Sequence, residues 1–293
     1  MPIESVVVLN DFCHAQGGAS RVAISEAIAL QQIGVQVWFL GAVGPVCQEL
    51  LDSDVRVICL EQAALADVKT GPRAALAAMW NQTAFRRLRS LLATLDRQRT
   101  IVHLHGYTKA LSTSPVIAAK HVGFTTICTL HDFFAACPNG AFFNYQTQTP
   151  CTLRGLSSAC LFTACDKRHA VHKAYRVVRG AVQRHIARFP SGVEQYIALS
   201  RRSAELLRPY LPANAQLHPL ANIIDVIQQP KVDPGANRNL TVVGRLDEEK
   251  GVRLAALAAA EAGMPIVFVG DGPYRGVVEA AGARVTGWLP AAE

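Results

Sequence analysis

The sequence has few charged residues and no long apolar run. Only 17% of its 293 residues are Asp, Glu, Lys or Arg, whereas 50% are hydrophobic, and this composition excludes an intrinsically disordered chain. No apolar run reaches the roughly 18 to 20 residues that a membrane-spanning helix needs. The N-terminal stretch MPIESVVVLN has no basic flank and carries Glu4, so it lacks the pattern of a signal peptide. We therefore expect a globular, cytoplasmic protein.

Two nucleotide-binding fingerprints are also missing. The sequence contains neither a G-x-G-x-x-G pattern nor a P-loop, which counts against ordinary NAD and ATP binding. It does carry an excess of positive charge, with a formal net charge of +7. This excess predicts an anionic partner, which could be nucleic acid, a phosphorylated substrate or anionic lipid.

Short apolar runs alternate with helical patterns over the first 200 residues. An amphipathic stretch predicts one long helix with Trp80, Phe85, Leu88, Leu92 and Leu95 on a single stripe. Continuous Val/Ile/Leu runs separated by helices are typical of a parallel sheet that is covered on both faces. The predicted fold class is therefore α/β, doubly wound. Strands are predicted at 5–10, 35–41, 55–60, 100–106, 125–132 and 195–200.

A second domain follows a change in composition. Residues 226–239 are rich in Pro, Gln and Asn, which indicates a linker. Strand and helix patterns then restart, so we predict an N-terminal domain at 1–232 and a C-terminal domain at 233–293. Because a doubly wound domain usually has about five or six strands, we expect roughly half of the second domain to be absent.

Two glycine-containing stretches are candidate anion sites. Gly17 and Gly18 lie between a predicted strand and a helix, where free backbone N–H groups can bind an anion; an ordinary strand–helix turn explains them equally well. In LTVVGRLDEEKGV, Gly244, Arg245 and Lys250 follow a strand, at the edge where open α/β sheets bind ligands. Two cations on one diphosphate would contribute roughly 1.5–3 kcal/mol each. Pairing with the three intervening acidic residues is the alternative.

Six motifs occur in the order of a known enzyme family. They are GGASR (17–21), TLHD (129–132), IALSRRS (197–203), LANIID (220–225), VVGRLDEEKGV (242–252) and VFVGDGP (267–273). In this order the chain resembles glycosyltransferase family 4, a GT-B family, although LANIID departs from the usual Pro-Asn-Gly-Ile/Val-Asp. The resemblance implies two Rossmann-like domains, the second incomplete here, that face each other across a cleft. It also implies transfer of a sugar from a nucleotide diphosphate donor, with retention at the anomeric carbon.

The resemblance assigns roles to individual residues. Arg245 and Lys250 would hold the donor diphosphate, Gly17 and Gly18 would line the donor phosphate and the acceptor side, and His131 would contact the donor hexose. The remaining donor-side residues would be Gly244, Gly270, Asp271 and Gly272. The expected acceptor is a cell-surface glycan or a lipid-linked sugar, and no catalytic metal is expected. The family's Glu-x7-Glu motif has no counterpart before Glu293, so a non-catalytic, truncated nucleotide-sugar-binding protein is the alternative.

Two sets of residues suggest metal ligands. A Gly/Pro/Asn-rich insert at 133–166 contains Cys137, Cys151, Cys160 and Cys165. Four thiols in a reduced protein predict a structural zinc site. An iron–sulfur redox cluster and four unconnected thiols are the alternatives. His103 and His105 share one strand face and could form a metal pair, but the sequence shows no third ligand. We predict instead that His105 lines the acceptor cleft.

A basic amphipathic helix is predicted at 166–189. Its apolar stripe could pack on the core with the basic face in water, or the helix could contact an anionic membrane at its inner face. Each cation near anionic lipid contributes about 1 kcal/mol, so five would contribute about 5 kcal/mol at most. Nucleic acid is not expected, because aromatic and basic residues are not interleaved as a stacking surface requires. The five cations are Lys167, Arg168, Lys173, Arg176 and Arg179.

Overall fold

The computed structural model describes residues 2–64, 71–222, 230–231 and 233–289, without the side chains of 71–74. The chain divides into two compact units, one of Met1–Gln146 with Cys151–Ile224 and the other of Thr147–Pro150 with Asp225–Glu293. Parts of the predicted loop at 220–225 and of the linker at 226–239, and the chain end at 290–293, lie outside the described residues. No helix in the described residues is long and apolar enough to cross a membrane.

The first unit is built on a seven-stranded parallel sheet. Its strand order is β3-β2-β1-β4-β5-β8-β9, so the chain starts in the middle and winds outward in both directions. All eight residues of the central strand β1 are buried. The strands are β1 (Ser5–Phe12), β2 (Gln36–Val43), β3 (Arg56–Cys59), β4 (Thr100–Leu104), β5 (Thr125–Leu130), β8 (Gln195–Ala198) and β9 (Gln216–Pro219); the short β6 (Phe143–Asn144) and β7 (Thr149–Pro150) lie in the cysteine-rich insert.

Helices cover both faces of this sheet. Side chains alternate along β1, so that Val7 and Leu9 join one hydrophobic core while Val6 and Val8 join the other. Two apolar faces explain the continuous Val/Ile/Leu runs, and the α/β, doubly wound prediction is confirmed. The helices are α1 (Gly18–Gln32), α2 (Gln48–Leu51), α3 (Gly71–Met79), α4 (Gln82–Leu92), α5 (Ser114–His121), α6 (Ser158–Phe162), α7 (Ala170–Ala181) and α8 (Arg201–Leu207).

The predicted long helix through Trp80 and Leu95 is wrong, because the segment forms two helices. The break lies at Trp80–Asn81, between α3 and α4. The Asn81 side chain accepts a hydrogen bond from the Ala84 N–H at 2.9 Å, which makes Asn81 the N-cap of α4. A buried capping residue stops one helix and starts the next even though the apolar spacing continues.

The second unit contains a smaller parallel sheet of the same kind. Its strand order is β10-β11-β12, and its core includes Leu246, Phe268 and Val278. A 3₁₀ turn at Glu248–Lys250 precedes the first helix. The strands are β10 (Leu240–Val243), β11 (Ile266–Val269) and β12 (Arg284–Gly287), and the helices are α9 (Val252–Glu261) and α10 (Arg275–Ala280).

Candidate functional site

Three histidines meet at the carboxyl edge of the seven-stranded sheet. His103 lies in β4 and His105 just after it, while His131 follows β5, the next strand in the sheet. Strand alternation places His103 and His105 on the same face, with ring centroids 4.1 Å apart. The His105 and His131 rings are 5.2 Å apart. Helix α1 contributes Glu26 to the same group.

Hydrogen bonds connect these side chains. Glu26 Oε1 lies 2.5 Å from His103 Nδ1, and the other ring nitrogen of His103 is 2.8 Å from Thr129 Oγ1. His105 Nδ1 is 3.0 Å from His131 Nε2. His105 Nε2 is fully buried and has no hydrogen-bond partner, but it lies 3.5 Å from Glu26 Oε2.

The Glu26 carboxylate sets the proton positions along this chain of contacts. Its negative charge favours a proton on the His105 nitrogen that faces it, Nε2. Nδ1 of His105 then carries no proton and accepts the hydrogen bond that His131 Nε2 donates. The same tautomer leaves Nδ1 of His131 as an acceptor, and no hydrogen bond to that atom is present within the described residues.

The pKa shifts agree with an uncharged His131. Burial alone would raise the pKa of Glu26, but the hydrogen bonds and charges of His103 and His105 outweigh burial and lower it. Burial, reinforced by the neighbouring imidazoles, lowers the pKa of His105. The same two causes, burial first, lower the pKa of His131 to about 3. At neutral pH His131 is therefore an uncharged acceptor.

The same side chains include a set that could hold a metal ion. Ligand atoms of Glu26, His103 and His105 all lie within 4.8 Å of one another, and two His with one carboxylate is a known transition-metal set. The sequence offered His103 and His105 as a pair without a third ligand; the fold supplies Glu26. Glu26 lies in α1, eight residues after Gly18. No local sequence pattern marks it, because its partner His103 is 77 residues away.

The predicted glycines open the helix that carries Glu26. Gly17 is the N-cap of α1 and has φ +156°, a conformation that L side chains rarely adopt. A Cβ built at Gly17 or Gly18 would meet no described atom within 4 Å. The exposed backbone before α1 therefore has open space in front of it, as an anion site at a helix N-terminus requires.

The buried carboxylate of Asp11, which the sequence analysis missed, fixes the loop after β4. Its two oxygens accept hydrogen bonds at 2.8–2.9 Å from the backbone N–H groups of Lys109, Ala110 and Leu111. Asp11 is 3% exposed. A polar residue within an otherwise apolar strand, as in SVVVLNDF, is the signal that could have identified it.

In the second unit the predicted donor residues lie at the carboxyl edge of the smaller sheet. Gly244 and Arg245 follow β10, and Gly270 to Gly272 follow β11. A Cβ on Gly270 would lie 2.0 Å from Gly244 O, so the two loops touch at a point that only glycine permits. The N–H of Leu246 also bonds Asp271 O at 3.0 Å. The two loops thus form one surface.

Arg245 is paired locally in this structure. Its guanidinium lies 3.0 Å from Asp247 Oδ2 and 3.2 Å from Glu249 Oε1. Arg245 is half-exposed and Glu249 partly so, whereas Asp247 is buried. The pair with Glu249 contributes about 0–1 kcal/mol, so a diphosphate could replace it. Lys250 ends the 3₁₀ turn, is exposed and makes no ion pair within the described residues.

Two of the four cysteines of the insert contact a buried lysine. Lys173 Nζ lies 3.0 Å from Cys165 Sγ and 3.8 Å from Cys160 Sγ. Cys137 is also buried, and Cys151 is half-buried. In the described residues no three of these sulfur atoms lie within 4.8 Å of one another. The four-thiolate zinc site stays a prediction.

Helix α7 exposes a different face from the one expected. The cations Lys173 and Arg179 are buried, whereas Val171, Val178 and Ile186 of the predicted apolar stripe are 75%, 52% and 58% exposed. The reading of 166–189 as a helix with its basic face in water is therefore wrong for Lys173 and Arg179. Both make inward contacts, Lys173 to thiols and Arg179 to the Thr108 carbonyl.

Comparison with known proteins identifies the fold. No protein-family model and no curated protein matches the chain. Solved structures do match, among them a glycosyltransferase from Rickettsia africae ESF-5 with a TM-score of 0.55 and 12% identity, over 98% of this chain and 69% of that one. Anabaena Alr3699/HepE in complex with UDP matches with a TM-score of 0.53 and 15% identity, over 97% and 69%.

A third match has the same extent. The apo form of the lipopolysaccharide outer core galactosyltransferase WaaB has a TM-score of 0.52 and 13% identity, over 98% of this chain and 69% of that one. Identities this low show the fold alone. The chain therefore has a Rossmann-like α/β fold of the GT-B type, the fold of these glycosyltransferases.

Proposed function

We propose that the chain is a retaining glycosyltransferase. It transfers a sugar from a nucleotide diphosphate donor to a hydroxyl group of a cell-surface glycan or a lipid-linked acceptor. The observation that carries the proposal is the buried Glu26–His105–His131 chain of contacts, which presents an uncharged His131 at the carboxyl edge of a GT-B-type sheet. Ligands of open α/β sheets bind at that edge.

The second unit supplies charge for the leaving group. In the reaction the bond between the anomeric carbon and the diphosphate oxygen breaks, a bond to the acceptor oxygen forms, and the acceptor hydroxyl loses its proton. Negative charge then accumulates on the diphosphate. Arg245 and Lys250 stabilise that charge. Gly244 leaves open space beside them for the nucleotide, and Gly270 allows its loop to pack against Gly244. UDP is the first nucleotide to test, because the Anabaena neighbour was solved with it.

His131 acts on the sugar in this proposal. Its free Nδ1 accepts a hydrogen bond from a hexose hydroxyl and so orients the ring. A charged imidazole would donate rather than accept at that atom. The low pKa of His131 therefore matters for this role.

We also propose a peripheral membrane contact, through the exposed face of α7 and of the π-helical turn Val182–Ile186 that follows it. Val171, Val178 and Ile186, together with the 90% exposed Phe162, offer apolar side chains. Lys167 and Arg168 lie exposed next to them. The contact uses fewer cations than the sequence suggested, since Lys173 and Arg179 are buried, and it would suit a lipid-linked acceptor.

Turnover tests the proposal. Parent protein is incubated with UDP-, GDP- and ADP-sugars, and release of nucleoside diphosphate and the anomeric configuration of the product are followed by NMR. We expect release from one donor class with retained configuration, and a roughly 2- to 13-fold lower rate for His131→Ala, since one hydrogen bond contributes about 0.5–1.5 kcal/mol. The exposed His121→Ala serves as the matched control.

The same assay distinguishes the proposed enzyme from the alternative function. A non-catalytic nucleotide-sugar-binding protein would bind one of these donors but release no nucleoside diphosphate from it. Inversion of configuration would contradict the retaining mechanism. Equal rates for the parent and His131→Ala would contradict the role of His131.

A further inference from the structure

The first unit contains a basic cavity apart from the histidine group. It has a volume of about 290 Å³ and lies between α7 and the loop that follows β4. Four cationic side chains line it, those of Lys109, Arg168, Arg176 and Arg179, and no described acidic residue does. The aromatic rings of Tyr175 and Phe134 form part of the cavity wall.

The deepest cation is held rigidly. Arg179 is 7% exposed, donates to the Thr108 carbonyl at 2.9 Å, and lies 4.7 Å above the centre of the Phe134 ring. The hydrogen bond to Thr108 uses one edge of the guanidinium, and the Phe134 ring covers one of its faces. An arginine held in this way loses little side-chain entropy when it binds an anion.

The other cations are neutralised to different degrees. Arg176 bonds the Asn139 side chain and lies 3.2 Å from Asp166 Oδ2. Lys109 is positioned through its backbone by Asp11, and its amine forms no ion pair in the part of the chain that the structure describes. Arg168, at the rim, also has none there. The cavity therefore has a surplus of positive charge.

In the free protein these positive charges repel one another. Burial lowers the pKa of Lys109 against the opposing charge of Asp11, and the charges of Arg176 and Arg179 lower it further, with Asp132 also opposing them. Like charges gathered in a partly buried cavity destabilise one another. A bound anion would relieve that repulsion and accept several charge-assisted hydrogen bonds at once.

We propose that this cavity binds a phosphate group carried by the acceptor. The inference rests on the proposed function and adds the acceptor class to it: a phosphorylated sugar or a sugar on a lipid phosphate. A volume of about 290 Å³ lies at the small end of ligand pockets, which suits a phosphate with part of one sugar. Phosphate matches the forked donors of Arg176 and Arg179, while Tyr175 can pack on the sugar carbons.

Calorimetric titration with a hexose 6-phosphate tests the site. We expect saturable binding by the parent, at least about 10-fold weaker binding by Arg168→Gln and by Lys109→Met, since a charge-assisted bond contributes about 1.5–3 kcal/mol, and no measurable binding of the unphosphorylated hexose. Lys167→Gln is the matched control, because it removes an adjacent exposed charge that does not line the cavity. Its affinity should equal that of the parent.

Flotation with phosphatidic acid vesicles distinguishes the two sources of phosphate. Hexose phosphate binding without flotation identifies a soluble acceptor. Flotation that hexose phosphate displaces, and that Arg168→Gln weakens, identifies a lipid-borne phosphate. Flotation that Lys167→Gln and Arg168→Gln weaken equally, and that hexose phosphate does not displace, reports the surface contact proposed for α7. Hexose phosphate binding by the parent then identifies a soluble acceptor, and its absence refutes the cavity site.

Two results would refute the site outright: no binding of hexose phosphate by the parent, or equal affinities for the parent and both cavity variants. Circular dichroism of each variant verifies folding, and Arg168 is exposed, so its replacement should not disturb the core. Titration with UDP runs in parallel. GDP and ADP are titrated in the same way, and a parent that binds hexose phosphate but none of the three nucleotides would count against the proposed function and leave the phosphate site standing.

Discussion

At the scale of single residues, the buried carboxylate of Glu26 determines how its neighbours hold their protons. It faces two imidazoles, with Oε1 at 2.5 Å from His103 and Oε2 at 3.5 Å from His105. Through His105 it determines which nitrogen of His131 is free to accept. Glu26 touches neither donor nor acceptor in this account, and it is a positioning residue.

Replacing Glu26 by Gln should remove the preference for one tautomer of His105 and His131. An amide can both donate and accept, so it no longer favours one tautomer of His105, and His131 should populate both of its tautomers. Nitrogen-15 NMR of the imidazoles measures this directly, with the proton on Nε2 of His131 expected in the parent. The turnover rate of Glu26→Gln should also fall. The variant Glu49→Gln, at an exposed position, should change neither the His131 tautomer nor the turnover rate. An unchanged His131 tautomer in Glu26→Gln would refute the relay.

Asp132, next to His131, gives a pH-dependent prediction. Burial raises the pKa of its carboxyl group from 3.8 to about 6, although a hydrogen bond from the Phe134 N–H opposes the shift. Because the folded state favours the protonated form, stability falls as pH rises from about 4 to 6, and ionisation costs up to about 3 kcal/mol at pH 7.

The variant Asp132→Asn keeps the acceptor for Phe134 and removes the charge. We expect its free energy of unfolding to exceed that of the parent by up to about 3 kcal/mol at pH 7 and to match it below about pH 4. Urea denaturation at both pH values measures the difference, with the exposed Asp52→Asn as control. Equal stability at pH 7 would show that the carboxyl is not destabilised by burial.

At the scale of elements, the N-cap of α4 separates two helices that the apolar spacing joins. Asn81 is 2% exposed; besides capping Ala84 it donates to the Ala110 carbonyl at 2.8 Å. Asn81→Ala should lower the free energy of unfolding by roughly 2–3 kcal/mol, since it removes a cap and leaves a buried carbonyl unpaired. The half-buried cap Ser157→Ala should cost about 1 kcal/mol or less. A similar small loss at both positions would contradict this account of the break.

Helix α7 yields a second prediction at this scale. Val178 is half-exposed, so Val178→Ser should change the free energy of unfolding by less than about 0.5 kcal/mol. The fully buried Leu88→Ala should cost about 2–5 kcal/mol. Chemical denaturation compares the two, and vesicle flotation of Val178→Ser tests the membrane contact. A loss of about 2 kcal/mol or more for Val178→Ser would mean that the stripe packs on the core.

Six of the seven strands of the large sheet could be predicted because their signals are local, whereas the exposed edge strand β9 was not predicted. A strand buried on both faces, such as β1, is apolar throughout and is recognisable within a few residues. The break at Asn81 and the inward face of α7 could not be predicted, since both depend on distant partners. Arg179 reaches the carbonyl of Thr108, 71 residues away, and that single contact reverses the polarity expected of the helix.

At the scale of the whole molecule, the site was predicted in part. Thr129, His131 and the loop glycines occur in motifs that can be found along the sequence, and the spacing of His103 and His105 placed them on one strand face. Glu26 could not be found that way, because α1 and β4 come together only in the folded sheet. The likeness to solved glycosyltransferases extends over both units, so the fold of each unit is the part of the prediction that the comparisons support.

Nucleoside diphosphate affinity tests the central claim most directly. UDP, GDP and ADP are titrated into the parent, into Arg245→Ala, Lys250→Ala and the double variant, and into Arg253→Ala, which removes a neighbouring exposed arginine paired with Glu248. The account predicts that the parent binds one of them, that each donor-site variant binds it about 10- to 150-fold more weakly, and that Arg253→Ala binds it as the parent does. A double variant that binds as tightly as the parent, or a parent that binds none of the three, would contradict the account.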